Sequence, residues 1–231
     1  MRLDQFVSQA ANLPRSLTQI AIRQGRVQVE GQRVTKPQLH IAEDAAVQLD
    51  GVPIRLAGLL YIMLHKPVDV VSATEDPAHR TVLSLVNHSH QHTLHLVGRL
   101  DKDTTGLILL TNDGNWSHKI TAPKSHVAKT YLATLAEPLN EEAANQLVQG
   151  VQLHGEKGLS AASKVEILAN GQVRLTIHEG KYHQVKRMFA AVNNRVAALH
   201  REKIGGLSLD VQLPLGAWRE LTADEVLRVL A

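Results

Sequence analysis

The 231-residue sequence predicts an α+β fold in two parts, and three observations carry that reading. Strand-like runs outnumber helix-like ones and do not alternate with them one for one, which argues against a doubly wound sheet. Asn170-Gly171, between two such runs, is the strongest short hairpin signal in the chain, so the sheet is expected to be largely antiparallel. Near residue 58 the texture changes, which puts domains at 1–58 and 59–231.

In the first part, Leu3, Phe6, Val7 and Ala10 fall at i, i+3, i+4, i+7, the stripe of a short amphipathic helix. Ser16 is the expected cap of a second helix running to Arg23 and ended by Gly25. VQVEGQRV alternates around Glu30-Gly31 as a hairpin, and VQLDGVPI supplies one more short strand. A turn-rich stretch from Asp50 to Gly58 then leads into LLYIMLHKP, a buried-type strand stopped by Pro67. Further strand-like runs cover 95–97, 107–111, 130–135, 164–168, 172–177 and 195–200; helical patterns cover 115–121, 141–149, 183–193 and 224–230. No internal repeat emerges.

Composition removes several function classes. No apolar run approaches the roughly 20 residues that span a bilayer, so no membrane role is expected. The start MRLDQFVSQA lacks a signal-peptide pattern, and the expected location is the cytoplasm. The absence of cysteine excludes disulfides, thiolate chemistry and Cys-ligated zinc. Net charge is only +3, but it is unevenly spread. Residues 1–40 hold six basic against two acidic side chains, and residues 179–203 again six against two. Two separated basic patches suit a polyanion, and equally suit two solvated faces.

The segment GRLDKDTTGLILLTNDG, residues 98–114, sets two acids just before an apolar run. As an EF-hand loop it fails at the twelfth position, Asn112, where a bidentate Glu is needed. As a magnesium-dependent phosphatase nucleophile it lacks a later acidic pair. HSHQH, residues 88–92, is the densest histidine cluster, in an expected polar loop without a carboxylate at ligand spacing. No metal site is expected.

Gly-Arg-Leu-Asp at 98–101, followed by Thr-Thr-Gly-Leu at 104–107, closely resembles the catalytic signature of the RsuA-type pseudouridine synthases. HVAKTYLATL, with Lys129 and Tyr131, resembles that family's second motif. EGKYHQVKRMFAAV resembles its third, in which a basic residue follows His-Gln-Val. The opening Arg-Leu-Asp and the Gly-x-Val-x-Val hairpin resemble the S4 RNA-binding module. The resemblance thus spans nearly the whole chain, in four ordered elements. DTTGLILLTNDGNWSHKI, GVQLHGEK and the third motif resemble the members that act on 16S ribosomal RNA of the small subunit.

The resemblance implies an S4-like domain, then a synthase domain with a mainly antiparallel central sheet flanked by helices. It implies isomerisation of one uridine of 16S RNA, free or in a small-subunit assembly intermediate, by an enzyme expected to be monomeric. That reaction moves no phosphate and changes no redox state, so it requires no cofactor. It does require an electron-rich carboxylate beside C1′. The resemblance assigns that role to Asp101 and the partner cation to Lys186, with Arg187 as runner-up. Asp103 reads as a turn former. Lys186 falls off the stripe Val185, Met188, Phe189, Val192 and can face the site while that stripe packs inward. Tyr131 is expected to stack on the target base. Arg99 is expected to enter the RNA stack or bind phosphate, and His183 and Gln184 to line the pocket. In the S4-like part Arg2, Arg15, Arg23, Arg26 and Arg33 are the expected phosphate contacts. With Phe6 as its one aromatic, a structured stem or junction suits this part better than a single strand. The competing class is a non-catalytic S4-domain RNA-binding or ribosome-assembly factor.

Overall fold

The computed structural model describes residues 1–231. The chain divides into two compact units, residues 1–59 with 88–93, and residues 60–87 with 94–231. In the first unit, α1 (Leu3–Ala10) and α2 (Arg15–Arg23) precede β1 (Val27–Val29), β2 (Gln32–Val34), β3 (Val47–Leu49) and β4 (Val52–Ile54). The strands form one antiparallel sheet in the order β2-β1-β3-β4. Leu3, Phe6 and Val7 of α1 pack with Ile22, Val27 and Val47 into its core.

Two expectations are corrected by this unit. The cap of α2 is Pro14, which presets its φ for entry to the helix; Ser16 lies inside the first turn and caps nothing. VQLDGVPI is two strands, because Asp50 and Gly51 both take positive φ (52° and 80°) and close a two-residue hairpin. Glu30-Gly31 does the same between β1 and β2, as expected. Phe6 is 1% exposed, so it belongs to the core and offers no stacking surface. The His88–His92 segment is half-buried and groups with the first unit.

The second unit contains β5 (Tyr61–Lys66), β6 (His95–Val97), β7 (Thr104–Thr111), α3 (Gly114–Thr121), β8 (Lys129–Leu135), α4 (Glu141–Gln149) and β9 (Val151–Gln152). It continues with β10 (Leu159–Ser160), β11 (Lys164–Ile167), β12 (Gln172–Ile177), α5 (Gln184–Ala191), β13 (Val196–Ile204), β14 (Leu207–Ser208), β15 (Trp218–Glu220) and α6 (Ala223–Arg228). The main sheet runs β11-β12-β8-β13-β7-β5-β15, with β6 on β7 and β14 on β13. Every pairing in it is antiparallel except β13 with β7. β9 and β10 make a separate small ribbon.

β7 is the buried centre of this unit. Leu107, Ile108, Leu109 and Leu110 have no exposed surface, so both faces of the strand are covered. Leu107 and Leu109 pack with Met63, Trp116 and Ile120, the last two from α3. Asp113 caps that helix by accepting the Asn115 and Trp116 amides. β7 begins at Thr104, earlier than the apolar run signals, and β13 extends past His200 to Ile204. The two meet in parallel at Thr104–Gly106 and Leu199–Arg201. Gly106 makes that approach possible: its φ is +110°, and a Cβ there would sit 2.3 Å from the Arg201 carbonyl oxygen.

Candidate active site

Asp101 stands in the short loop between β6 and β7, at the edge of the sheet's centre. That loop is held from below. Ser72 Oγ donates to the Leu100 carbonyl at 2.6 Å and accepts the Leu100 amide at 2.9 Å. The Asp69 amide donates to the Lys102 carbonyl at 3.0 Å. Lys66, fully buried at the end of β5, donates Nζ to the carbonyls of Pro67, Lys102 and Thr104 at 2.9, 3.2 and 2.8 Å. An ammonium has three donors, and all three are used. Burial drives the Lys66 pKa down to about 8, although Asp103 and Asp101 pull it upward.

Lys186 arrives from α5, distant in sequence. Val185, Met188 and Phe189 are buried, which turns the neighbouring Lys186 toward the Asp101 loop. Its Nζ lies 3.2 Å from Asp101 Oδ2 and 2.6 Å from Asp103 Oδ1. Burial works against the charged ammonium, but the hydrogen bonds to Asp103 and Asp101 outweigh it and raise the pKa. The Lys186 hydrogen bond holds the Asp103 carboxyl below its ordinary value. Asp101 and Lys186 are each about one-quarter exposed, whereas Asp103 is 72% exposed. Asp103 therefore sits in a turn and also shares the cation from the solvent side. His183, at the cap of α5 with a left-handed φ of 46°, brings Nε2 to 3.5 Å from Asp101 Oδ1.

Asp101, Tyr131, Arg99 and His183 line one cleft of about 800 Å³. Lys186 and Gln184 join those four around an adjoining recess of about 70 Å³. Tyr131, in the middle of β8, is 8% exposed and its hydroxyl has no hydrogen bond within the protein. Arg99 is exposed at the lip and unpaired. Gln184 is 4% exposed; its amide bonds Glu179 Oε1 at 2.6 Å and accepts from the Lys181 amide at 2.9 Å, so it shapes the wall. Arg187 turns away from Asp101, pairing with Glu156 at 3.2 Å and donating to the Tyr182 and His154 carbonyls.

In the first unit, four of the five arginines have protein partners. Arg2 holds the buried Asp4 carboxylate through two bonds of 3.0 and 2.8 Å, and Arg15 reaches it at 3.3 Å. Burial alone would raise the Asp4 pKa; bonds from Arg2, Gln19 and Arg15 reverse that and hold it far below the ordinary range. Arg26 pairs with Asp50, and Arg33 donates to the Gly25 carbonyl. Arg23 is exposed and unpaired.

Three features of the site escape the sequence. Tyr182 is 75% exposed, and its ring stacks on His183 at 3.8 Å, a ready aromatic platform at the mouth. Lys66 reads as the tail of an apolar strand; only tertiary structure turns it under the loop. Arg201 of β13 is 3% exposed yet lines the cleft. Its place in the basic patch 179–203, just past the strand-like run 195–200, was the available signal.

The family described as RNA pseudouridylate synthase matches residues 60–191, and the S4 domain matches residues 1–47. The chain is 46% identical to "Ribosomal small subunit pseudouridine synthase A" of Yersinia pestis, covering 99% of this chain and 98% of that one. It is 47% identical to the protein of the same name from Escherichia coli (strain K12), with both chains fully covered. A solved structure titled "Crystal structure of pseudouridylate synthase" superposes with a TM-score of 0.72 at 42% identity, over 99% of each chain. An acid–cation pair on a cleft of this fold, together with these full-length matches, leaves one conclusion: the chain belongs to the RNA pseudouridylate synthase family and is an S4-domain enzyme that isomerises uridine in RNA.

Proposed function

We propose that the enzyme converts one uridine of 16S ribosomal RNA, position 516 in the customary numbering of that RNA, to pseudouridine. The substrate is the RNA free or within a small-subunit assembly intermediate, and a cytoplasmic monomer without cofactor does the work. The full-length likeness to proteins named ribosomal small subunit pseudouridine synthase A supports the choice of RNA. In this reading residues 1–58 bind RNA and residues 59–231 carry the chemistry.

The observation that carries the mechanism is the 3.2 Å contact of Lys186 with Asp101 on the cleft that also holds Tyr131. The uridine swings out of its stack, a step costing about a few kcal/mol that RNA contacts offset. Arg99, free at the lip, fills the vacated stack or holds phosphate. Tyr131 stacks on the base. Asp101, paired with Lys186, meets the positive charge at C1′ as the bond to N1 breaks, either by attack or by removal of the C2′ proton. The base turns and rejoins through C5, which gives up its proton while N1 takes one up, so the atom count is unchanged. His183 and Gln184 line the site, and Arg187 buttresses the wall beside it. Arg2, Arg15, Arg23, Arg26 and Arg33 face the RNA backbone, with Arg23 the least encumbered.

Asp101→Asn tests this reading. Single-turnover pseudouridine formation on a 16S fragment should fall by about 10⁴-fold or more while the RNA Kd stays within about threefold. Retained activity in that variant contradicts the assignment.

A further inference from the structure

Arg201 is the buried charge that nothing in the protein neutralises. Its strand position pairs with Tyr131 on one side and Gly106 on the other, at the centre of the sheet. Nε donates to the Leu107 carbonyl at 2.8 Å, but Nη2 is buried with no hydrogen-bond partner. No carboxylate pairs with the guanidinium. Its carbon lies 6.0 Å from the centre of the Tyr131 ring. Lys129 lines the same cleft, also without an acidic partner. Burial, and then the charge of Arg201, lowers its pKa. A buried arginine with idle donors beside a lysine is unfavourable for the empty protein. Such a group persists where a ligand supplies the missing acceptor.

Depth indicates which acceptor. A nucleotide enters the cleft base first, leaving its phosphates at the rim, where Arg99 is exposed. Arg201 is 3% exposed and next to Tyr131, where the base would stack. We propose that Arg201 donates an Nη–H to a carbonyl oxygen of the flipped uracil and stabilises the negative charge which that oxygen gains during bond cleavage. When C1′–N1 breaks, the bonding pair leaves on the base and spreads over N1, O2 and O4. Asp101 meets the sugar's deficit, and Arg201 meets the base's excess. As C5 attacks C1′ an electron pair of the base forms the new C–C bond, C5 loses its proton, N1 gains one, and Arg201 releases a neutral pseudouridine. This inference rests on the Asp101 mechanism proposed above.

The test combines a protein change with a substrate change. Arg201→Met removes the charge while filling similar volume. It should lower the single-turnover rate by about 10²-fold with RNA Kd within about threefold, the size expected for one preorganised donor. Its melting temperature should be unchanged or raised, whereas a purely structural arginine would lower it. RNAs carrying 2-thiouridine or 4-thiouridine at the target give the second arm, since sulfur is the weaker acceptor. One of them should slow the wild type by about tenfold and Arg201→Met by less than about threefold, a non-additive pair. Equal thio effects in both proteins, or a loss confined to RNA Kd as a phosphate contact would give, overturn the inference. If Arg201→Met does not fold, Arg201→Gln takes its place under the same criteria. Wild-type activity together with an inactive Asp101→Asn keeps the underlying mechanism standing even if Arg201 fails.

Discussion

Lys186 makes two ion pairs, and their lengths rank the two acids differently from their roles. Asp103 holds the shorter contact, 2.6 Å, but its exposure leaves it screened by solvent. Asp101 holds the longer one in the more enclosed position. Asp103→Asn should therefore reduce turnover by less than about fivefold, with Lys186 settling on Asp101 alone. Lys186→Gln should cost about 10²-fold or more, and Lys186→Arg less than about tenfold, measured as single-turnover rates. The hydrogen bond between Lys186 and Asp103 raises the pKa of the ammonium against its burial and lowers that of the carboxyl, so each favours the charged form of the other. Lys66 acts oppositely. Its pKa of about 8 in the folded protein lies below the unfolded 10.5, so between those values the unfolded chain binds more protons. Folding stability should rise through that interval, by an amount that Lys66→Met abolishes; urea midpoints at pH 7 and pH 10 measure it. The motifs implied the Lys186–Asp101 pair, but not the roles of Lys66, which closes an apolar run, or of Asp103, which reads as a turn residue.

At the scale of elements, the β7–β13 pairing decides the site, because it sets Arg201 beside the strand that the Asp101 loop leads into, while β8, on the other side of β13, carries Tyr131. Gly106→Ala should destabilise the protein by about 3 kcal/mol or more, since the strands must part to admit a methyl group. The denaturation midpoint checks this, and a shift below about 0.5 kcal/mol would refute it. The helices and most strands were readable from period and caps: Glu141–Gln149 forms where its pattern lies, behind its Asn140 cap. Four of the shortest strands, β9, β10, β14 and β15, were not, being too short for alternation to register. Gly106 was equally opaque, because its positive φ answers to a partner strand nearly a hundred residues away. The Asp101–Lys186 contact was anticipated through ordered motifs, not through periodicity.

For the whole molecule, charge distribution outweighs net charge. Six basic residues in 1–40 read as a phosphate-binding surface, yet most are tied to acids or carbonyls, as Arg2 and Arg15 are to Asp4. Binding by this unit should accordingly be steeper in salt through Arg23 than through Arg26. Arg23→Gln should reduce the slope of log K against log salt by about one, and Arg26→Gln by clearly less. The sequence shows how many arginines there are; only the fold shows which are unencumbered. No helix is long and apolar enough to cross a membrane. The most direct test of the central claim is pseudouridine mapping of 16S RNA from cells lacking this protein, complemented with wild type or with Asp101→Asn. The account predicts one modification that disappears with the gene, returns with wild type, and stays absent with Asp101→Asn. A 16S modification pattern identical in all three strains would contradict it.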